Sequence, residues 1–103
     1  MRCRPCKPVP EEVRRAAGLL ERRWTLSILY ASVGGAVRFN EFRSALGRVP
    51  PATLTTRLTE LVEAGLLDRR VVDTRPPSVE YTLTEQGKRL EPVVHELVRW
   101  CRV

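Results

Sequence analysis

Val13, Ala16, Ala17 and Leu20 recur at the i, i+3, i+4, i+7 spacing of one helical face, which predicts an amphipathic helix over residues 11–21. Glu11 and Glu12 suit the positive end of its dipole. Residues 24–33, WTLSILYASV, are apolar nearly all round, which in so short a segment predicts a helix buried at the centre of a small core and ended by Gly34 and Gly35. Val37–Phe39 can form one short strand, and Asn40 is expected to cap a helix running to Leu46, its side-chain oxygen accepting from an exposed backbone N–H. Gly47 closes that helix and opens a tight turn. Pro51 fits the first turn of the next helix, where a missing N–H costs nothing, and Gly65 fits the C′ position after Ala64. Leu54, Leu58, Leu61 and Val62 form the inward stripe of this helix. Ala52, Thr56, Thr59 and Glu63 lie opposite, with Thr53 and Thr55 on the flanks, so the outer face is small at its N-terminal end and acidic at its C-terminal end.

Leu67–Asp73 and Val79–Leu83 alternate as strands do, joined by the proline-stiffened tip Thr74-Arg75-Pro76-Pro77-Ser78. Thr84 is expected to cap a last helix reaching about Trp100, kinked where Pro92 removes a backbone hydrogen bond. The stripe of Leu90, Val93, Val94, Leu97, Val98 and Cys101 on that helix is wider than one neighbour covers, which suggests a dimer interface. The first ten residues, with three prolines, read as a loose arm, and residues 11–103 as a single domain with no repeats or second-domain linkers. The expected fold class is α+β, mostly helical. A helix-turn-helix occupies 40–64, a β-hairpin wing 67–83, and dimerisation helices 11–21 and 84–101. A chain of 103 residues buries roughly 60–65% of its unfolded surface, which makes a deep catalytic cleft unexpected.

The chain carries 18 Lys and Arg against 12 Asp and Glu, a net charge of +6 that favours a polyanionic partner. The positive charge is mostly arginine, which grips phosphate or guanine bidentately. Helix followed by β-ribbon on a basic chain suggests a DNA-reading winged helix. Only the first two turns of the 51–64 helix could approach DNA without repulsion. No apolar run nears the roughly 20 residues needed to cross a bilayer, and MRCRPCKPVP lacks the apolar stretch of a signal peptide. A cytoplasmic location with no membrane partner is expected. Three cysteines near the termini do not make a secreted disulfide framework and are expected to be reduced thiols.

Trp24-Thr25-Leu26, Arg38-Phe39-Asn40-Glu41-Phe42, the Pro51…Leu54…Arg57-Leu58…Leu61…Ala64-Gly65-Leu66 helix and Tyr81-Thr82-Leu83-Thr84…Gly87 together resemble the HxlR family of bacterial and archaeal winged helix-turn-helix transcription regulators. The match runs from about residue 13 to residue 100 in the family's order and spacing. The resemblance implies a homodimer packed through its terminal helices, each subunit placing a recognition helix in the major groove and a wing beside it. Carried over by position, the helix-turn-helix falls on Asn40–Leu46 and Pro51–Ala64, and the wing tip on Thr74–Ser78. Two departures stand out. Pro50 occupies the place where the family usually has a capping Ser, so a side-chain cap worth roughly 1 kcal/mol is missing. Glu11 stands where the family often has a cysteine, with Cys6 farther out.

The expected DNA-binding set is Pro51, Ala52, Thr53, Thr55, Thr56 and Arg57 on the recognition helix, Arg38, Asn40 and Arg43 around the helix before it, and Arg70 and Arg75 on the wing. Threonine offers a hydroxyl and a methyl suited to thymine, against the plainer role of a solvated polar face. Arg57 lies nearer the buried stripe and divides evenly between phosphate contact and pairing with Glu60 or Glu41. Arg75 suits the backbone or a narrow minor groove. Of Arg69 and Arg70, at most one should face DNA, the other pairing with Asp68 or Glu80; Arg48 joins Arg38 and Arg43 as a backbone clamp. The expected dimer interface is Val13, Leu20, Val94, Leu97, Val98 and Cys101.

Cys3, Cys6 and Cys101 are the candidate redox thiols, and a dimer of terminal helices would bring Cys101 near a partner's N-terminal cysteine. Zinc is not expected, since a lone C-x-x-C leaves only Cys101 and His95 as further ligands, on different sides of one helix. Trp24 and Tyr30 are expected in the core rather than in an effector pocket, and His95 at the surface. With one histidine, no phosphate-cradling glycine motif and no cofactor signature, an enzyme is not expected. The expected function is sequence-specific DNA binding by a homodimer on a palindromic promoter site, with a small-molecule or redox effector as a further partner. The alternative is a winged helix serving protein interaction or nonspecific nucleic-acid binding.

Overall fold

In the computed structural model, which describes residues 6–102, Ile28, Leu29, Phe42, Leu54, Leu58, Leu61 and Leu67 are withdrawn from water and meet in one core. Each such side chain contributes about 1.5–3 kcal/mol over its exposed state. They are delivered by α2 (Thr25–Val33), α3 (Phe39–Leu46), α4 (Pro51–Glu63) and β1 (Leu67–Val72). The remaining elements are α1 (Glu11–Leu20), β2 (Ser78–Leu83), α5 (Glu85–Lys88) and α6 (Glu91–Cys101). The fold is mostly helical with one two-stranded antiparallel sheet, as the periodicity predicts.

The α2 helix begins one residue later than expected, because Trp24 adopts a left-handed backbone (φ 80°) in the turn from α1. Its position is central, yet one face stays open: Leu26 is exposed and Tyr30 is 53% exposed, against the expectation that Tyr30 is a core residue. The apolar run in the sequence does not distinguish a face covered within the domain from one left for something else. Trp24 does pack against the core.

The expected strand at Val37–Phe39 shrinks to a single bridge between Arg38 and Glu80, with the Tyr81 N–H donating to the Val37 carbonyl at 2.7 Å. Phe39 already belongs to α3. The α3 cap is not Asn40. Arg38 takes the N-cap position, and the Glu41 carboxylate accepts from the N–H groups of Arg38 at 2.8 Å and Val37 at 3.0 Å. An ionised carboxylate satisfying two orphan donors near the helix N-terminus is a stronger arrangement than one neutral amide.

The α4 helix opens on Pro51 and ends as expected. Gly65 (φ 80°) donates to the Val62 carbonyl at 3.0 Å and Leu66 to Leu61 at 3.0 Å, the paired bonds of a Schellman cap. The strands pair in the register Leu67↔Leu83, Arg70↔Glu80 and Val72↔Ser78, so the hairpin loses Asp73 and gains Ser78 relative to the alternation. Thr84 caps α5, accepting from the Gly87 N–H at 3.0 Å, and its own hydroxyl donates to the Gly65 carbonyl at 2.6 Å. The expected single last helix is two. Pro92 has no N–H for the Lys88 carbonyl, and its ring crowds that oxygen, so the chain restarts at Glu91 with Pro92 in the first turn of α6. Residues 6–10 carry no regular structure, and the rest of the expected N-terminal arm lies outside the described residues.

Gly87 is buried, and a Cβ there would collide with the Leu66 carbonyl oxygen. Gly87→Ala is expected to destabilise the fold by about 1–3 kcal/mol through overpacking against backbone. Thermal unfolding followed by circular dichroism checks this; a midpoint equal to wild type would show that the α5 junction yields.

Candidate nucleic-acid interface

The N-terminal half of α4 presents Pro51, Ala52, Thr55 and Thr56 to solvent, with Thr53 half-buried on its flank. The small side chains at its head let the backbone approach a surface closely. The Thr55 hydroxyl donates to the Pro51 carbonyl at 3.1 Å and that of Thr56 to Ala52 at 3.0 Å. Each hydroxyl proton is thus committed to the helix, and what faces outward is acceptor lone pairs and a methyl group.

Arg57, expected to divide between phosphate and a carboxylate, is turned inward. Its side chain is 15% exposed, Nε donates to the Arg23 carbonyl at 2.8 Å, and Nη1 lies 3.2 Å from the Glu60 carboxylate. Glu60 also pairs with Arg22 at 2.9 Å. Arg57 therefore ties the loop before α2 to the flank of α4 rather than reaching a groove, because a long side chain at the edge of the buried stripe meets a carbonyl and a carboxylate before it meets solvent.

Asn40 and Arg43 are exposed on α3. Arg38 and Arg70 share one carboxylate, Glu80, at 4.0 and 3.9 Å. Both guanidiniums are mostly exposed, and pairs of this kind contribute about 0–1 kcal/mol, so they give way readily to a phosphate. At the hairpin tip the Thr74 hydroxyl donates to the Pro76 carbonyl at 2.7 Å, closing the loop from which Arg75 projects. Among the described residues Arg75 has no acidic partner.

A second feature of the domain is apolar. A groove of about 720 Å³ runs between α2, α3 and α6, lined by Leu26, Tyr30, Ala31, Leu97, Val98 and Cys101 among others. Val13 on α1 is 53% exposed and Leu97 41%, while Leu20 is half-buried against the core. Val94, expected at a dimer interface, lies instead in its own domain's core at 4% exposure, where α6 packs on α2. Cys101 is a free, exposed thiol. Cys6 is disulfide-bonded, against the expectation of reduced thiols; Cys3 falls outside the described residues. His95 is exposed, 3.7 Å from Glu91 one turn earlier. Sequence reasoning passed over Arg22 and Arg23, whose signal was a basic pair directly before Trp24.

A helix-turn-helix with an open, uncharged leading face, followed directly by an arginine-tipped hairpin, defines the winged helix-turn-helix class of DNA-binding transcription regulators. Residues 19–103 match the model of the HxlR-like helix-turn-helix family, and the chain belongs to that family. It is 35% identical over 87 residues to YvaP, an uncharacterized HTH-type transcriptional regulator of Bacillus subtilis, a match covering 84% of this chain and 81% of that one. Its fold is similar to that of a MarR-family transcriptional regulator from Porphyromonas gingivalis W83 (TM-score 0.83, 27% identity, 93% of this chain and 96% of that one). It is also similar to the redox regulator HypR in its reduced form (TM-score 0.80, 36% identity, 87% and 89% covered). The protein is a DNA-binding transcriptional regulator rather than an enzyme. Among the described residues no helix is long and apolar enough to cross a membrane.

The hydrogen bonds from Val37 and then Arg38 hold the Glu41 carboxyl below its ordinary value of 4.5. A lowered folded-state pKa gives stability that is complete above the unfolded value and lost as pH falls through the folded one. Glu41→Gln is therefore expected to be less stable than wild type at neutral pH, with the gap closing below pH 4.5. Thermal midpoints across an acid series check this; a gap constant with pH would show that the carboxylate's charge is immaterial to the α3 cap.

Proposed function

We propose that the protein is a homodimeric, sequence-specific regulator that places the leading turns of α4 in the major groove of a palindromic promoter site and the wing on the flanking groove or backbone. The observation that carries this reading is the exposed, uncharged front of α4, Ala52, Thr55 and Thr56, in a domain that also exposes arginines on α3 and on the wing. Thr53, Thr55 and Thr56 meet base edges or the phosphates beside them, with Pro51 and Ala52 allowing close approach. Arg38, Asn40, Arg43, Arg70 and Arg75 hold the backbone. Two half-sites are spaced about one helical turn apart, roughly 34 Å.

Dimerisation uses α1 and α6, where Val13 and Leu97 are exposed and Val98 lines the apolar groove. The regulator works in the cytoplasm, and its effector is a redox signal or a small molecule. The structural neighbour HypR is described as a redox regulator, and this chain carries cysteines near both ends.

Selection of duplexes from a random pool tests the DNA reading. Thr56→Ala is expected to change the preferred base at one position per half-site, at about 1–2 kcal/mol of discrimination. Arg75→Ala is expected to weaken all duplexes alike and to lower the salt dependence by about one phosphate. No enriched motif would shift the reading to nonspecific binding or protein assembly. For the dimer, Leu97→Glu is expected to give monomers in sedimentation equilibrium at concentrations where wild type is dimeric; a wild-type mass for this variant would remove α6 from the interface.

A further inference from the structure

A cleft of about 340 Å³ lies beside the head of α4, walled by Arg23, Trp24, Arg48, Pro50, Thr53 and Arg57. Three arginines line it. Arg57 is neutralised by Glu60, which Arg22 also engages, whereas Arg23 and Arg48 have no acidic partner among the described residues. The positive charge facing the cleft is thus uncompensated by its own domain. Arg23 lies 5.0 Å from the centroid of the Trp24 ring, and that ring restricts the paths the guanidinium can take. Trp24 is held at φ 80° to make this wall, a backbone conformation that costs a tryptophan free energy and persists only where its surroundings enforce it.

The floor of the cleft supplies donors of a second kind. The first bond of α4 runs from the Leu54 N–H to the Pro50 carbonyl at 3.0 Å, and Pro50 offers no side-chain cap. The N–H groups of Ala52 and Thr53 therefore leave the helix end without an intrahelical acceptor, at the positive end of a 13-residue helix. Two unpaired guanidiniums and exposed helix N–H donors around an open cleft match the oxygens and charge of a phosphate group.

We propose that this cleft is a phosphate site, and that the phosphate it takes belongs to the DNA backbone flanking the base pairs read by α4. This rests on the proposed DNA-binding function. It adds Arg23 as a phosphate clamp beside Arg48, which the sequence already suggested as one, and gives the unusual turn at Trp24 a task, that of holding Arg23 against the strand while Arg57 holds the loop in place. The same geometry explains why the missing cap at Pro50 is tolerated: the bound phosphate occupies the position a capping side chain would fill.

The test uses the full chain with Arg23→Gln, Arg48→Gln, the double variant and Arg23→Lys, bound to the selected duplex and to a scrambled one over a salt series. Each glutamine variant is expected to lower the slope of log affinity against log salt by about one phosphate, by the same amount on both duplexes, while Arg23→Lys keeps the slope. Slopes equal to wild type in variants of unchanged thermal midpoint would overturn the site, as would a loss confined to the selected duplex. Inorganic phosphate distinguishes the source. Stabilisation of wild type by millimolar phosphate that the double variant loses, with DNA slopes unchanged, would assign the cleft to a free anion and overturn the backbone assignment. Wild-type protein without affinity for either duplex would instead remove the DNA reading on which the site rests.

Discussion

The close approach of Gly87 to the Leu66 carbonyl decides how the wing sits on the helix-turn-helix. Leu66 is the last residue of the Schellman cap of α4, and Thr84 is the first residue after β2. The Thr84 hydroxyl bonds the Gly65 carbonyl, its backbone N–H bonds the Leu66 carbonyl at 3.0 Å, and Gly87 without a Cβ lets the α5 turn lie against that same carbonyl. Both ends of the hairpin are thereby fixed at one point, the end of the recognition helix. Hydrogen bonds of this kind are worth about 0.5–1.5 kcal/mol each, and their larger role is geometric. The bond from Tyr81 to Val37 adds a second attachment, to the start of α3. The three parts proposed to touch DNA thus form one rigid frame.

Charge is distributed over this frame with economy. Glu60 and Glu80 each engage two arginines, and Glu41 is occupied by backbone N–H groups. Those three carboxylates are therefore masked, whereas Glu63 at the far end of α4 and Asp73 beside the hairpin tip have no basic partner among the described residues. What remains outward is arginine held in loose, solvated pairs or none. Such a surface attracts a polyanion over distances comparable with the Debye length, about 8 Å at physiological salt, before any contact forms.

Local patterns carried much of this architecture. Alternation and periodicity located α1, α4 and the hairpin, and Pro51 and Gly65 marked the bounds of α4 because their backbone constraints act within one or two residues. The signals that misled depend on distant partners. Asn40 is a good cap in isolation, but Glu41 supplies a charged acceptor that reaches back to two N–H groups. Pro92 reads as a kink in one helix, whereas the packing of α5 against Leu66 favours a full break. Arg57 faces a carbonyl 34 positions away in sequence, which no spacing rule anticipates. Tyr30 shows the limit of hydrophobicity as a guide to burial: it is apolar enough for a core, and the fold leaves it on an open groove. The leading threonines of α4 were legible as an exposed face because the leucine stripe opposite fixes the helix rotation, while the cleft beside Arg23 was not, since it arises from a turn conformation.

The ten residues of α1 bury none of their side chains fully within their own domain. A helix of that length is marginal by itself, since isolated helices hold only beyond about 12–15 residues. Leu19 and Leu20 at the C-terminal end of α1 pack on the core, so the leading turns around Val13 are the part whose order the proposed dimer would reinforce. In the proposed dimer, dilution would then loosen these leading turns without disturbing the core of Phe42 and the leucines, and amide exchange at the start of α1 would register the concentration of the protein itself.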